Sequence, residues 1–81
     1  MTNSEAKVVE IFAEALKCED IGLDDEFIDL GGDSMSAMLC ILRIRTHFQV
    51  ELSVEDFFLE VSTVRSISKL VDQLQHNSHT I

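Results

Sequence analysis

The stretch from Asp29 to Ser34, with the sequence DLGGDS, holds the residues with the clearest chemical potential. It places one serine hydroxyl directly after two glycines and an acid. Glycine adopts backbone conformations closed to other residues, so Gly31 and Gly32 leave the upstream side of Ser34 free of side chains. Serine is a favoured N-cap residue, and the free amides of a helix that starts at Ser34 would favour an attached phosphate. The pattern therefore predicts an attachment site for a phosphodiester.

The same serine does not fit a hydrolase. A nucleophile elbow requires Gly-x-Ser-x-Gly, and no glycine follows Gly32. A triad also needs a histidine beside the serine, whereas His47 lies roughly 20 Å along the same predicted helix at ~1.5 Å per residue. The scatter of the histidines and of Cys18 and Cys40 argues against a zinc site. No window in residues 20–33 has the spacing of an EF-hand loop. We expect no catalytic residue and no metal.

The string FIDLGGDS at residues 27–34 resembles the carrier protein family of nonribosomal peptide and polyketide assembly. The likeness extends over about residues 8–74 and includes three apolar positions in the next helix, Ala37, Ile41 and Ile44. In that family a phosphopantetheinyl transferase modifies the serine of the Asp-Ser pair. The resemblance therefore implies 4′-phosphopantetheine, taken from coenzyme A, on Ser34. Gly32 and Asp33 would be the adjoining residues of that cofactor site.

The resemblance also implies a non-catalytic role. The chain would hold an aminoacyl or acyl group as a thioester and present it to partner enzymes. These partners would be the transferase, an adenylating or acyl-transferring enzyme that loads the arm, and downstream condensing, tailoring or transferring enzymes. The doublet before Asp33 is more similar to peptidyl carriers, which favours an amino acid or small aryl acid as cargo. An acyl carrier of a polyketide or fatty-acid pathway remains an alternative. An unmodified helical protein-interaction module is the alternative of another class, although the intact Asp33-Ser34 pair favours modification.

Length and composition indicate one small all-α domain spanning residues 1–81. Hydrophobic residues make up 46% of the chain, proline is absent and glycine occurs three times, which favours helices over strands. The net charge of −9 argues against nucleic acid or an anionic membrane as a partner and for basic protein surfaces. The chain shows no signal peptide and no apolar run of ~20 residues, so we expect a cytoplasmic protein.

Apolar periodicity predicts a four-helix carrier bundle, with three longer helices, a short third helix and a long loop between helices one and two. The predicted helices cover about residues 3–18, 34–48, 54–60 and 64–75, with an extended linker at 49–52 and a frayed tail at 76–81. Capping signals precede three of them at Thr2, Ser53 and Thr63. Cys18 and Cys40 fall within helical apolar patterns and predict no disulfide. The loop should be anchored by four apolar residues, namely Ile21, Leu23, Phe27 and Leu30.

Helix two carries two apolar stripes instead of one. The first contains Ala37, Cys40, Ile41, Ile44 and Phe48. The second contains Met35, Met38, Leu39 and Leu42. The resemblance assigns the first stripe to the core and the second to partner contact, and methionine suits a surface that accepts several partners. The alternative is that Met35 and Met38 fill gaps in the core, and for Met38 and Leu39 the two interpretations stay balanced.

Acidic residues flank the proposed attachment site on both sides. Asp29 and Asp33 precede Ser34, and the short helix carries three more acids, Glu55, Asp56 and Glu60. If that helix lies beside the start of helix two, as the resemblance implies, these acids form a rim around the Met35 and Met38 patch. Asp33, Glu55 and Asp56 would then meet arginine or lysine on partners. The turn before the last helix reads Val-Ser-Thr where many relatives have His-Pro-Thr, so no partner contact is carried over to that turn.

Overall fold

The computed structural model describes residues 2–58 and 62–77, and its regular elements are helical. Three α-helices are present: α1 at Asn3–Leu16, α2 at Ser34–Phe48 and α3 at Val64–Asn77. A single 3₁₀ turn at Val54–Phe57 stands between α2 and α3. Within the described residues no strand forms, and the sole extended pairing is an isolated bridge between Glu26 and Thr63. The all-α class is confirmed, but the fourth helix is only this short 3₁₀ turn, and residues 59–60 of its predicted span lie outside the described part.

The helix boundaries differ from the predicted ones at two ends. At the start of α1, Thr2 Oγ1 accepts a hydrogen bond from the Glu5 N–H (3.0 Å) and the Thr2 N–H donates to Glu5 Oε1 (2.8 Å). The helix stops at Leu16 because Lys17 turns into the left-handed region, with φ at 54°. Cys18 therefore lies beyond the helix, which corrects its assignment to a helical pattern.

The last helix is longer than predicted. Thr63 Oγ1 accepts from the Ser66 N–H (3.1 Å) and the Thr63 N–H donates to Ser66 Oγ (3.0 Å), so Thr63 caps α3 as expected. The helix continues to Asn77, so the prediction of a frayed tail from residue 76 was wrong for its first two residues. Residues 78–81 lie outside the described part.

The core lies where all three helices meet a cluster of phenylalanines. Ring centroids of Phe12, Phe27 and Phe57 are 5.0–6.1 Å apart, and all three side chains are fully buried. Such edge and tilted ring contacts add to the free energy gained by burying their large apolar area. Phe12 belongs to α1 and Phe57 to the 3₁₀ turn, whereas Phe27 comes from the long loop. The loop residue therefore joins elements that are distant in sequence.

The long loop is held down along its length. Ile21, Leu23 and Leu30 pack against the core around the buried Phe27. The Phe27 N–H donates to the Ser62 carbonyl (2.7 Å), and the Arg65 N–H donates to the Leu23 carbonyl (3.0 Å). The Arg65 guanidinium also donates to both carboxylate oxygens of Asp24, at 2.8 and 3.2 Å. These contacts fix the segment that leads into Ser34.

Two kinds of feature were not found among the described residues. Among residues 2–58 and 62–77, no helix combines the length and apolar character that a membrane crossing requires. In the same residues, no three histidine, cysteine, aspartate or glutamate side chains come together in a way that could hold a metal ion.

Candidate functional site

The two glycines before Ser34 have different structural requirements. Gly31 has a φ of +93°, a conformation that residues with a side chain rarely adopt, and a Cβ there would meet open space. Gly32 has an ordinary φ, but a Cβ on it would come within 2.3 Å of the Phe27 ring and 2.7 Å of the Phe27 carbonyl oxygen. That carbonyl accepts the Gly32 N–H at 2.9 Å. Gly31 therefore allows the turn, and Gly32 allows the chain to pass directly over the buried Phe27.

Asp33, and not Ser34, caps α2, which corrects the predicted N-cap. Asp33 Oδ1 accepts the Ser36 N–H (2.9 Å), and the Asp33 N–H donates to Ser36 Oγ (2.8 Å). The two residues thus form a reciprocal capping box. Hydrogen bonds from the Ser36 backbone and then its hydroxyl stabilise the carboxylate and hold the pKa of Asp33 below its ordinary value. The three-residue spacing of Asp33 and Ser36 is the sequence signal for this box, and the expectation of a cap at Ser34 did not use it.

Ser34 is the first residue of α2, and its hydroxyl remains uncommitted. The residue is exposed, and within the described chain its side chain has no hydrogen-bond partner. The two neighbouring side chains that could bind it, Asp33 and Ser36, are occupied with each other. The hydroxyl also stands at the N-terminus of a helix, whose dipole favours a negative group there. The site can therefore receive a phosphate ester without breaking an existing interaction.

The faces of α2 separate into a buried and an exposed stripe. Ala37, Cys40 and Ile44 are fully buried, and burial raises the pKa of the Cys40 thiol to about 12. Ile41 and Phe48 are partly buried and pack against this core. The second stripe is exposed: the exposed fractions are 82% for Met35, 48% for Met38, 38% for Leu39 and 52% for Leu42. The interpretation of Met35 and Met38 as core fillers was therefore wrong.

The acids of the expected rim do not all stand beside this stripe. Asp33 lines a groove together with Met35, Met38 and Leu39, whereas neither Glu55 nor Asp56 lines it. The 3₁₀ turn that carries these two acids does contact α2. Glu55 is exposed, but the Asp56 carboxylate accepts the Ser53 N–H (2.8 Å) and Ser53 Oγ (3.2 Å), so it caps its own turn. Glu60 lies outside the described residues.

The remaining polar groups lie elsewhere. His47 is exposed near the end of α2 and makes an edge contact with the Phe48 ring at 4.7 Å between centroids. It borders a second hollow with Lys7, Glu14 and Arg43, and in that hollow Arg43 pairs with Glu14 at 3.0 Å. This hollow does not include any residue around Ser34.

Comparison with known proteins identifies the family that this chain resembles in sequence. A family model described as a phosphopantetheine attachment site matches residues 6–71. The chain is 35% identical over 71 residues to tyrocidine synthase 2 of Brevibacillus parabrevis, a match that covers 88% of this chain and 2% of the relative. It is 36% identical over 77 residues to polyketide synthase PksN of Bacillus subtilis (strain 168), covering 95% of this chain and 1% of the relative. It is also 42% identical over 67 residues to the isonitrile lipopeptide synthase of Mycobacterium tuberculosis (strain ATCC 25618 / H37Rv), covering 83% of this chain and 3% of the relative. The chain thus spans only a few per cent of the length of these curated relatives.

Two solved structures share the fold. One is a chain in the structure of the phosphopantetheine transferase Sfp in complex with coenzyme A and a peptidyl carrier protein. It has a TM-score of 0.85 at 27% identity, and the match covers 90% of this chain and 94% of that one. The other is the solution structure of a non-covalent extended docking domain complex of the Pax NRPS, PaxA T1-CDD/PaxB NDD. Its TM-score is 0.86 at 24% identity, with coverage of 98% of this chain and 75% of that chain, and it supports the fold alone.

Proposed function

Because the chain belongs to the phosphopantetheine attachment-site family, we propose that Ser34 carries 4′-phosphopantetheine and that the chain is a carrier of thioester-bound acyl groups. The observation that supports Ser34 most strongly is its exposed and uncommitted hydroxyl at the start of α2. Its other neighbours fit the role as well, since Gly31 leaves open space and Asp33 is engaged in capping. Gly32 and Asp33 complete the site by holding the turn.

The attachment step requires only a nucleophilic oxygen from this chain. Ser34 Oγ forms a bond to the phosphorus of coenzyme A that bears the pantetheine, and the pyrophosphate bond to the adenosine part breaks. Adenosine 3′,5′-bisphosphate leaves, and the hydroxyl proton passes to a base of the transferase. The product is a phosphodiester on Ser34. The positive end of the α2 dipole lies at this position and favours the anion electrostatically.

After attachment, the chain itself supplies position and not chemistry. The bound group supplies a terminal thiol that can hold an acyl group as a thioester. Asp33 and Ser36 fix the first turn of α2, and the contact between Gly32 and Phe27 fixes the loop before it. The Asp33 carboxylate is engaged in the cap of α2, and we assign it no role as a general acid or base toward the arm. We therefore propose a non-catalytic domain, formed by the described helices as one unit, that is the substrate of other enzymes.

The partners follow from this role. A phosphopantetheinyl transferase would install the arm, an adenylating or acyl-transferring enzyme would load it, and condensing, tailoring or transferring enzymes would take the cargo. The relatives are nonribosomal peptide and polyketide synthases, which supports an aminoacyl or acyl cargo. The exposed Met35, Met38 and Leu39 are the proposed apolar contact for these enzymes. Asp33 and Glu55 are the proposed acidic contacts, whereas Asp56 contributes less because its carboxylate is held by Ser53.

Intact mass tests the proposal against an unmodified interaction module. Wild type, Ser34→Ala and Ser36→Ala are each incubated with coenzyme A, magnesium and a broadly specific transferase. Wild type should gain the mass of one phosphopantetheine group, Ser34→Ala should gain none, and Ser36→Ala should still gain one. Circular dichroism of each variant verifies that the helices remain. A folded wild type that gains no mass would instead support the unmodified module.

A further inference from the structure

A buried serine, Ser62, lies two residues before the start of α3, and only 4% of it is exposed. Its hydroxyl donates a hydrogen bond to the carbonyl oxygen of Asp56, in the 3₁₀ turn, at 3.1 Å. Burial of a hydroxyl costs free energy unless the group is hydrogen-bonded, so this bond favours one conformation of the segment before α3. The Ser62 side chain therefore ties that segment to the 3₁₀ turn.

The carbonyl group of Ser62 contacts a different element, the long loop. Its oxygen accepts the Phe27 N–H at 2.7 Å. The N–H of the same peptide unit belongs to Thr63 and donates to Ser66 Oγ at 3.0 Å. This peptide unit is thus held at both of its polar ends, and the Ser62 hydroxyl holds the residue that precedes it. The carbonyl is therefore presented to the loop in a fixed direction.

Phe27 connects this contact to the attachment site. Its carbonyl oxygen accepts the Gly32 N–H at 2.9 Å, and its ring lies directly against Gly32. Gly32 is followed by Asp33, the N-cap of α2, and then by Ser34. A continuous set of hydrogen bonds therefore leads from Ser62 to the residue before the cap, although Ser62 lies far beyond the attachment serine in the chain.

We propose that Ser62 is a positioning residue for transfer of the arm to Ser34 and that it acts through Phe27 and Gly32. The inference rests on the proposed function. Without the Ser62 hydroxyl, the loop is held in place in a smaller fraction of the molecules. Because the transferase requires the held conformation, its apparent affinity for the chain falls in proportion to that fraction. The KM for the chain therefore rises, whereas kcat is retained once the complex has formed.

Four variants of the full chain test this role. Ser62→Ala removes the hydroxyl, and Ser62→Thr retains it. Ser68→Ala is the matched control, because Ser68 is also a buried serine but its hydroxyl has no hydrogen-bond partner among the described residues. Val71→Ala truncates a fully buried side chain of α3 and controls for a general loss of stability. Circular dichroism verifies that each protein is folded under the conditions of the assay.

Two measurements are made on each protein: the kinetics of arm transfer from coenzyme A, and amide hydrogen exchange of the unmodified chain. For Ser62→Ala we expect the KM to rise roughly two- to tenfold, the range that corresponds to the loss of one hydrogen bond, with kcat unchanged. The Phe27 and Gly32 amides should exchange faster by a similar factor. Ser62→Thr, Ser68→Ala and Val71→Ala should retain the wild-type KM and the wild-type exchange of these two amides.

The contrary results distinguish the role of Ser62 from the proposed function. An unchanged KM for folded Ser62→Ala overturns the positioning role alone. Equal effects of Ser62→Ala and Val71→Ala overturn it as well, because they show a contribution to overall stability only. Absence of any added mass on the wild-type chain overturns the proposed function, and the role of Ser62 with it.

If Ser62→Ala does not fold, hydrogen exchange of the wild type over a series of low urea concentrations decides the question. The Phe27 and Gly32 amides should open together, since one hydrogen-bonded unit holds both. A Gly32 amide that opens while the Phe27 amide stays protected would show that Ser62 does not control the backbone before the cap, and would overturn the inference.

Discussion

At the scale of single residues, the site depends on which side chains are engaged and which is left free. Asp33 and Ser36 use their polar atoms on each other, so the hydroxyl between them in sequence has no competing partner. A phosphate on Ser34 therefore does not have to displace a native hydrogen bond. The capping box thus fixes the first turn of α2 and leaves the Ser34 hydroxyl accessible.

The contact between Gly32 and Phe27 gives a prediction for stability. Gly32→Ala forces a Cβ against a fully buried ring and its carbonyl oxygen, so it should destabilise the fold by roughly 1–3 kcal/mol, the usual cost of overpacking. Phe27→Leu makes room, so the double variant should be more stable than the sum of the two single effects predicts. Urea unfolding of the four proteins measures this coupling. Strict additivity would mean that the Phe27 ring is not what restricts position 32, because the substitution leaves the Phe27 carbonyl oxygen in place.

The capping carboxylate gives a prediction for pH. Because the pKa of Asp33 is lowered in the folded state, its contribution to stability is complete above the ordinary value of 3.8 and is lost as the pH falls through the lowered one. Asn is a comparable N-cap without this titration, so Asp33→Asn should lose less stability than wild type between pH 7 and acid. Urea midpoints across that range test it. The pKa of Asp24 is also lowered, chiefly by the hydrogen bond from Arg65. Asp24 should therefore contribute part of the dependence of stability on pH in both proteins. Identical slopes would show that Asp33 does not contribute.

At this scale the sequence indicated the candidate site but not the structural roles of the residues within it. The glycine doublet and the acid-serine pair were sufficient to single out Ser34. The identity of the cap was not, because aspartate and serine are equally good N-caps and stand next to each other. The requirement at Gly32 depends on a ring five positions earlier lying beneath it, which only the folded loop reveals.

At the scale of elements, α2 has one face that is buried in the core and another apolar face that is exposed. Ile44 is fully buried, whereas Met35 is 82% exposed. Ile44→Ala should cost roughly 2–5 kcal/mol of stability through lost contacts and a cavity. Met35→Ala should change stability by no more than ~0.5 kcal/mol and yet slow modification by the transferase. Thermal unfolding and initial rates of arm transfer measure the pair. A stable Ile44→Ala protein, or a Met35→Ala protein modified at the wild-type rate, would contradict this division.

Helix positions followed from periodicity more closely than helix ends did. The stripes placed α2 at its observed span because Asp33 and the left-handed Gln49 stop it where the pattern stops. At the end of α1 the apolar pattern continued beyond the helix. Lys17 ends the helix by adopting a left-handed backbone conformation, which its residue type does not predict. Ile41 and Phe48 share the spacing of the fully buried residues but are only partly buried where they pack against the core, a difference that the spacing alone does not predict.

At the scale of the whole molecule, a net charge of −9 on 81 residues favours encounter with basic surfaces. Raising ionic strength should therefore lower the apparent second-order rate of loading by a cognate enzyme. Asp33→Asn and Glu55→Gln should weaken that salt dependence. Glu10→Gln removes the same charge from α1 and serves as the matched control. Quench-flow measurement over a salt series tests this, and a flat response in all four proteins would leave the acids only a role in solubility.

The arrangement of these charges required the three-dimensional fold. The sequence gives the number of acids, but their distribution around the Met35 and Met38 patch depends on how the 3₁₀ turn packs. Asp33 stands at the groove, while Glu55 and Asp56 do not line it. Leu16 and Lys17 also line this groove. The sequence did not predict their contribution, because the end of α1 is far from Ser34 along the chain.

We propose that one particular hydroxyl, that of Ser34, carries the arm. Tandem mass spectrometry of a peptide that contains both Ser34 and Ser36, taken from the modified wild-type protein, tests it most directly. Fragment ions that include Ser34 but stop before Ser36 should carry the mass of phosphopantetheine, and fragments that begin at Met35 should not. An added mass on the fragments that begin at Met35 would place the arm on Ser36 and contradict the account.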